Sequence, residues 1–364
     1  MIDNPPTKTS RIVELDALRA LAAINLMLFH FTHVYSVKYG YTSDLGFEFP
    51  WGKYGVQLFF MLSGFVNAMT LLKKKVPSQF LASRFIRILP VYYVVVGVNL
   101  LLLQMSPFKE QVEFTWPAVV ANLTLLPNLF GFECLEPVTW TLQIEILFYG
   151  ILTSLFLLGA FRRPLLTMMG YLGVCLVGCL SIPAAEVGSP MSGWQIAREA
   201  LLLEYMPLLI IGMLLQQIRF EGVFKAPYIA GILAAATVFH VCDQHGHNPA
   251  VTVLLTAILW LAAYGKLPVL RLKPLMFIST ISYSLYLLHD NLGCFVIYHM
   301  NQNGVPPVVC FALIIPIVLL LSWLSSVYLE RPLSGLLKSG WQRVQTWTTT
   351  GSVPLSNPLP QTKR

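Results

Sequence analysis

Apolar residues gather along the chain in runs of about 17 to 25, the length that carries a helix across a hydrocarbon core of roughly 30 Å, and short polar links separate them. The runs predict helical spans near residues 15 to 36, 54 to 72, 85 to 105, 139 to 159, 165 to 183, 197 to 217, 226 to 241, 249 to 264, 275 to 299 and 307 to 328. Trp116 to Phe130 is also apolar, but it is short and interrupted by Pro117 and Pro127. It suits a re-entrant or interfacial segment better than a crossing. The pattern predicts an all-α integral membrane protein, a bundle of about ten transmembrane helices.

Composition agrees: 56% of the 364 residues are hydrophobic and 11% are charged, against about a quarter charged in an ordinary soluble domain. The formal charge of +7 comes from short basic clusters between apolar runs, with no basic helix or arm, which argues against a nucleic-acid partner and for membrane lipid. Alternating the spans from a cytoplasmic N-terminus puts Lys8, Arg11, Lys73 to Lys75, Arg84, Arg87, Arg162, Arg163, Arg219, Lys225, Lys266, Arg271, Lys273, Arg331, Lys338, Arg343, Lys363 and Arg364 inside. Only Lys38, Lys53, Lys109 and Arg198 fall outside, as the positive-inside rule asks. Both termini are predicted to be cytoplasmic, in a multi-pass protein of the cell membrane.

Residues 1 to 14 then form a cytoplasmic segment, 15 to 333 the membrane domain and 334 to 364 a cytoplasmic tail. The Thr-, Ser- and Pro-rich stretch from Thr346 onward is predicted to be disordered. The first apolar run lacks a small-residue cleavage site after it and is read as a retained span. The six cysteines lack the paired spacings of a zinc site, and Cys134 with Cys242 is the external disulfide left open.

An ionisable group at the centre of a span costs on the order of 3 kcal/mol, so each one needs a partner or a purpose. Arg19 and His30 lie in the first span with ten residues between them. At 3.6 residues per turn they share one face, about 16 Å apart along the axis. Glu145 of the fourth span lies at a depth similar to His30, each about six residues from the outer end. A carboxylate beside an imidazole fixes its tautomer and raises its basicity, as a general base requires. The pair reads equally well as a polar lock between two helices. Arg84 and Arg87, in RFIRILP at the cytoplasmic start of the third span, suit phosphate groups, or else serve as topological anchors.

Several blocks in order resemble the acyltransferase-3 family of multispan membrane acyltransferases. ELDALRALAAINLMLFHF is similar to the family's first span, GVQLFFMLSGF to its second and RFIRILPVYY to its Arg-x-x-Arg block. WTLQIEILFYG, ISYSLYLLHDNLG and YLERPL resemble later blocks, so the likeness spans residues 14 to 333. Gln57 stands where an acid is common, and Ile146 and Leu147 follow Glu145 where an acid and a polar residue are common.

The resemblance implies that His30 is catalytic, with Arg19, Arg84 and Arg87 serving the acyl donor or holding the catalytic architecture. It implies cytoplasmic acyl-CoA, acetyl-CoA above all, as donor substrate, no permanently bound cofactor or metal, and an acceptor hydroxyl on a glycan or lipid-linked molecule. Trp140, Tyr149, Tyr283, Ser284, Tyr286 and His289 are candidates to line the cavity, or to form an aromatic packing stripe. Gly55, Ser63 and Gly64 are read as permitting close helix contact. Glu204, if buried, must be paired, and His245 with His247 and one acid falls short of a metal site.

The rival class is a transporter or flippase, in which the same buried His, Arg and Glu form a relay. The arginine mouth and the ordered blocks favour the acyltransferase. The charge pattern predicts that reporter fusions at residues 43, 188 and 245 report outside, and those at residues 75, 268 and the C-terminus inside. An external C-terminus would contradict the alternation.

Overall fold

The computed structural model describes residues 12 to 105, 115 to 185, 191 to 222 and 226 to 350, without the side chains of 346 to 350. Lys8, Arg11, Lys109, Glu186, Lys225 and the tail beyond residue 350 lie outside the described residues, so the topology and disorder expectations there go with them. Among the described residues the chain is all-helical, with no strand. The helices are α1 (Val13–Lys38), α2 (Pro50–Lys74), α3 (Pro77–Leu102), α4 (Trp116–Leu123), α5 (Trp140–Leu157), α6 (Pro164–Ser181) and α7 (Gly193–Ala200). They continue with α8 (Met206–Glu221), α9 (Ala226–Cys242), α10 (Pro249–Ala263), α11 (Lys273–Leu288), α12 (Asn291–Gln302) and α13, which runs from Pro307 to Thr350.

Six of these helices, α1, α2, α3, α5, α6 and α13, are long and apolar enough to cross a membrane. α9 and α10 are apolar but shorter. α4 has only 8 residues, too few to cross a bilayer.

Three expected spans are corrected. α3 begins at Pro77, eight residues before the expected 85, because Pro at the first helical position starts a helix whose first two turns mix Ser78, Gln79 and Ser83 with the buried Phe80. Arg84 and Arg87 therefore lie about two and three turns inside the helix. The stretch 197 to 217 divides at Leu201–Tyr205 into α7 and α8, with Leu202 in a left-handed conformation at φ 53°. The stretch 275 to 299 divides at His289 and Asp290 into α11 and α12. Pro207, in the first turn of α8, announces the first break, whereas neither Gly nor Pro stands at His289 and Asp290.

Contacts sort the two ends of the bundle. Glu14 pairs with Arg271 at 2.6 Å, and Ser334 Oγ donates to the Ile86 carbonyl at 3.0 Å, at one end. Thr42 Oγ1 meets Asn301 at 2.5 Å and the Asn248 amide donates to Tyr54 at 2.9 Å at the other. The described cysteines are all free, so Cys134 and Cys242 form no disulfide.

The core helices cross at small residues. A Cβ on Gly64 would strike the Leu209 carbonyl, one on Gly212 the Met61 carbonyl, and one on Gly55 would lie 2.8 Å from the Ala22 carbonyl. Close backbone approach at small residues is how helices gain packing energy where lipid provides no hydrophobic drive. Ser63 instead turns its hydroxyl to Glu145. Gly64→Ala is expected to lower stability by about 1 to 3 kcal/mol, while Gly97→Ala, where a Cβ meets nothing within 4 Å, does not. Thermal unfolding in detergent checks both, and equal effects would contradict the crossing.

Candidate active site

Two irregularities in the helices meet in the middle of the bundle. α1 is regular α-helix from Val13 to Phe29, so Arg19 and His30 do share a face, and a π-turn then occupies His30–Val34. π-turns inside helices frequently mark functional positions. The loop after α1 clamps this one. Tyr41 Oη donates to the Phe31 carbonyl at 2.6 Å, the Phe49 amide donates to Thr32 Oγ1 at 3.0 Å, and His33 Nδ1 lies 2.8 Å from Glu48.

The second irregularity is the break between α11 and α12. A helix break leaves backbone N–H and C=O groups without intrahelical partners. Here the His289 ring contacts the Leu285 carbonyl at 3.1 Å through Nδ1, and the Asn291 amide donates to Glu136 at 3.4 Å. Glu136 also accepts from Asn99 at 2.9 Å, and Asn291 donates to the Leu135 carbonyl at 2.8 Å. That network ties the segment before α5 to the break.

His30 and the break touch directly. His30 Nδ1 is 2.9 Å from His289 Nε2, with the rings stacked at 4.9 Å, and 3.6 Å from Asp290 Oδ1. His289 is wholly buried, whereas the His30 side chain keeps 14% exposure. The cluster is nearly dry but open at one imidazole.

Beside it lies a cavity of about 700 Å³, open mouth included, lined by Arg19, Arg87, Glu145, Tyr149, Tyr283 and Tyr286, among others. Tyr149 donates to Glu145, and Ser63 Oγ lies 3.3 Å from the same carboxylate. Tyr283 is anchored on the Ile88 carbonyl at 2.7 Å and Tyr286 on the Val138 carbonyl at 2.8 Å. Tyr286 joins the two regions, since its ring is 5.8 Å from His289.

The expected residues therefore divide. His289 abuts His30, and Arg19, Arg87, Glu145, Tyr149, Tyr283 and Tyr286 share the cavity. Arg84 is buried behind the cavity, donating to Thr70 at 2.7 Å with its guanidinium 5.5 Å from the Phe80 ring centre. Ser284 turns away to Glu330 at 3.0 Å, and Trp140 packs on Tyr205 at 5.3 Å. Glu145 is not the carboxylate beside His30; Asp290 is. Counting from helix ends set Glu145 level with His30, whereas it lines the cavity that Arg19 lines and His30 does not.

Other polar residues hold structure. Glu204 lies 4.0 Å from Arg198 and 3.7 Å from His245. In the loop after α9, burial acts to raise the Asp243 carboxyl, but hydrogen bonds from His247 and His245 outweigh it and hold it below its ordinary value. Gln57 accepts from Thr252 at 3.0 Å, which in turn contacts His240 at 3.1 Å, so position 57 is served by a neutral chain of hydrogen bonds.

Residues 12–327 match the family described as an acyltransferase domain. The chain belongs to the acyltransferase 3 family. It is similar to the exopolysaccharide production protein ExoZ of Rhizobium meliloti (strain 1021), with 28% identity over 255 residues that cover 67% of this chain and 77% of that protein. No solved structure matches. In this acyltransferase-family chain, Asp290 and Thr141 are the site residues that motif reading passed over. Thr141 Oγ1 holds the Tyr286 hydroxyl at 2.7 Å. Asp290 had a signal of its own, a charge within an apolar run expected to span, where an unpartnered carboxylate is costly.

Proposed function

We propose that the protein transfers an acyl group, acetyl in the simplest case, from cytoplasmic acyl-CoA to a hydroxyl of a cell-surface or exported glycan. The membrane domain of this reading is residues 15 to 333, crossing about ten times with both termini cytoplasmic in the cell membrane. The observation that supports it is adjacency. Tyr286, which lines the arginine-bearing cavity, packs 5.8 Å from His289, and His289 touches the partly exposed His30 imidazole.

Arg19 and Arg87 would meet the phosphates or the carbonyl-rich arm of the donor, since guanidinium groups hold phosphate oxygens by paired hydrogen bonds. Arg84, committed to Thr70, supports them from behind. Glu145 with Tyr149 sets the charge balance of that cavity. His30 removes the proton of the acceptor hydroxyl as its oxygen attacks the thioester carbonyl, and the CoA thiolate leaves and takes up that proton. The alternative order, with the acyl group first on His30, needs the same unprotonated nitrogen. A glycan acceptor is favoured by the likeness to an exopolysaccharide production protein. A transporter reading leaves the family match unused.

The test is mass analysis of surface glycans and lipids from cells with the gene, without it, and with Arg87→Ala or Arg84→Ala at parental expression. The reading predicts an acetyl-sized mass increment that disappears without the gene and weakens in both arginine variants. Glycans and lipids unchanged by loss of the gene would contradict it.

A further inference from the structure

The orientation of the His30 imidazole has a determinable proton position. A neutral imidazole carries one N–H donor and one acceptor nitrogen, and the partners of each nitrogen decide which is which. His289 Nδ1 lies 3.1 Å from the Leu285 carbonyl oxygen, which can only accept, so the His289 proton sits on Nδ1. His289 Nε2 is therefore an acceptor. The atom 2.9 Å from it is His30 Nδ1, which must donate. A second observation agrees independently: Asp290 Oδ1 stands 3.6 Å from the same His30 nitrogen. The opposite arrangement would set two lone pairs against oxygen acceptors, one at Leu285 and one at Asp290, in a site where His289 has no exposure to water. Unpaired contacts of that kind are expensive when buried.

We infer that His289 is a positioning residue that holds His30 in the Nδ1–H tautomer, which the negative charge of Asp290 at 3.6 Å also favours, leaving Nε2 as the nitrogen that performs the reaction. The inference rests on the acyltransferase reading for its use, but the tautomer itself does not. During transfer Nε2 takes the acceptor's proton, His30 becomes an imidazolium, and its Nδ1–H bond to His289 strengthens beside the Asp290 carboxylate. The proton then leaves from Nε2 to the departing thiolate. His289 keeps its Nδ1–H on the Leu285 carbonyl and its Nε2 lone pair on the His30 Nδ1–H throughout.

The break between α11 and α12 is what makes this possible. His289 still keeps helical geometry at the end of α11, with its amide on the Leu285 carbonyl, and it is Asp290 that leaves the helix, where a continuous helix would carry it to another face. The interruption at His289 and Asp290 brings two successive side chains to one atom.

The test is ¹⁵N spectroscopy of the full-length protein in nanodiscs, histidine-labelled and without substrates, with acetyl-CoA turnover measured on the same preparations. The His30 signals are assigned by their loss in His30→Gln. The parent is expected to show the His30 proton on Nδ1, and a proton on Nε2 overturns the inference outright. His289→Leu removes the acceptor and is expected to spread the proton over both nitrogens. It should lower kcat about 10²-fold, the low end of a general-base contribution, with KM for acetyl-CoA unchanged. His289→Gln, whose amide oxygen can accept from Nδ1–H, is expected to recover tautomer and kcat together. If Leu and Gln lower kcat alike while the tautomer stays parental, His289 only packs and the inference fails. A parental Nδ1–H tautomer with no acyl transfer by the purified parent supports the assignment while removing the reaction it serves.

Discussion

A helix interrupted inside an apolar bundle must satisfy its freed backbone groups from within the protein, because lipid offers no hydrogen bonds. The site of this protein depends on that constraint. The chain interrupts α1 with a π-turn and separates α11 from α12, and it sets the two interruptions against each other. Their orphaned groups recruit the polar side chains. Tyr41 answers the Phe31 carbonyl of the π-turn and Glu136 the amide of Asn291, while the His289 ring adds a second contact to the Leu285 carbonyl, which its own backbone amide already bonds. Once His289 and Asp290 are held in this way they meet His30, so the satisfaction of the backbone and the placement of the His30 imidazole are one arrangement.

Around this centre the bundle is divided by polarity. Toward one end lies the cavity with Arg19, Arg87 and Glu145, and behind it is Arg84 on Thr70. Toward the other lie the clamped loop and the Glu136, Asn99 and Asn291 network. Tyr286 stands at the junction, fixed by the Val138 carbonyl and by Thr141. A charged donor entering from one end and a polar acceptor from the other would thus meet at an imidazole without either crossing the whole bundle. Glycine contacts between α2 and α8, and between α1 and the start of α2, make the frame narrow enough for these short polar links to reach.

Much of this was legible in the sequence for physical reasons. Apolar runs as long as those at 15 to 36 or 307 to 328 have no other stable use than a span, and the eleven-residue step from Arg19 to His30 puts both on one helical face. What stayed hidden was direction and interruption. Counting residues from a helix end fixes neither the face nor the neighbour of a side chain, so Glu145 was matched with His30 when it lines the cavity with Arg19 and bonds Tyr149 and Ser63. The run 275 to 299 reads as one helix because neither Gly nor Pro marks its middle. The charge on Asp290 was the remaining clue. Ser284 could not be assigned from its motif because its partner, Glu330, comes from a second π-turn far along the chain.

The central claim is that His30 does chemistry, and it is tested most directly by His30→Gln in proteoliposomes supplied with acetyl-CoA and a glycan acceptor. Gln keeps size and hydrogen bonding but cannot take up a proton near neutral pH. The account predicts a folded protein whose acetyl transfer falls by about 10² to 10⁴-fold, the usual contribution of a general base. Transfer at a near-parental rate would contradict it and leave His30 as a packing residue between two broken helices.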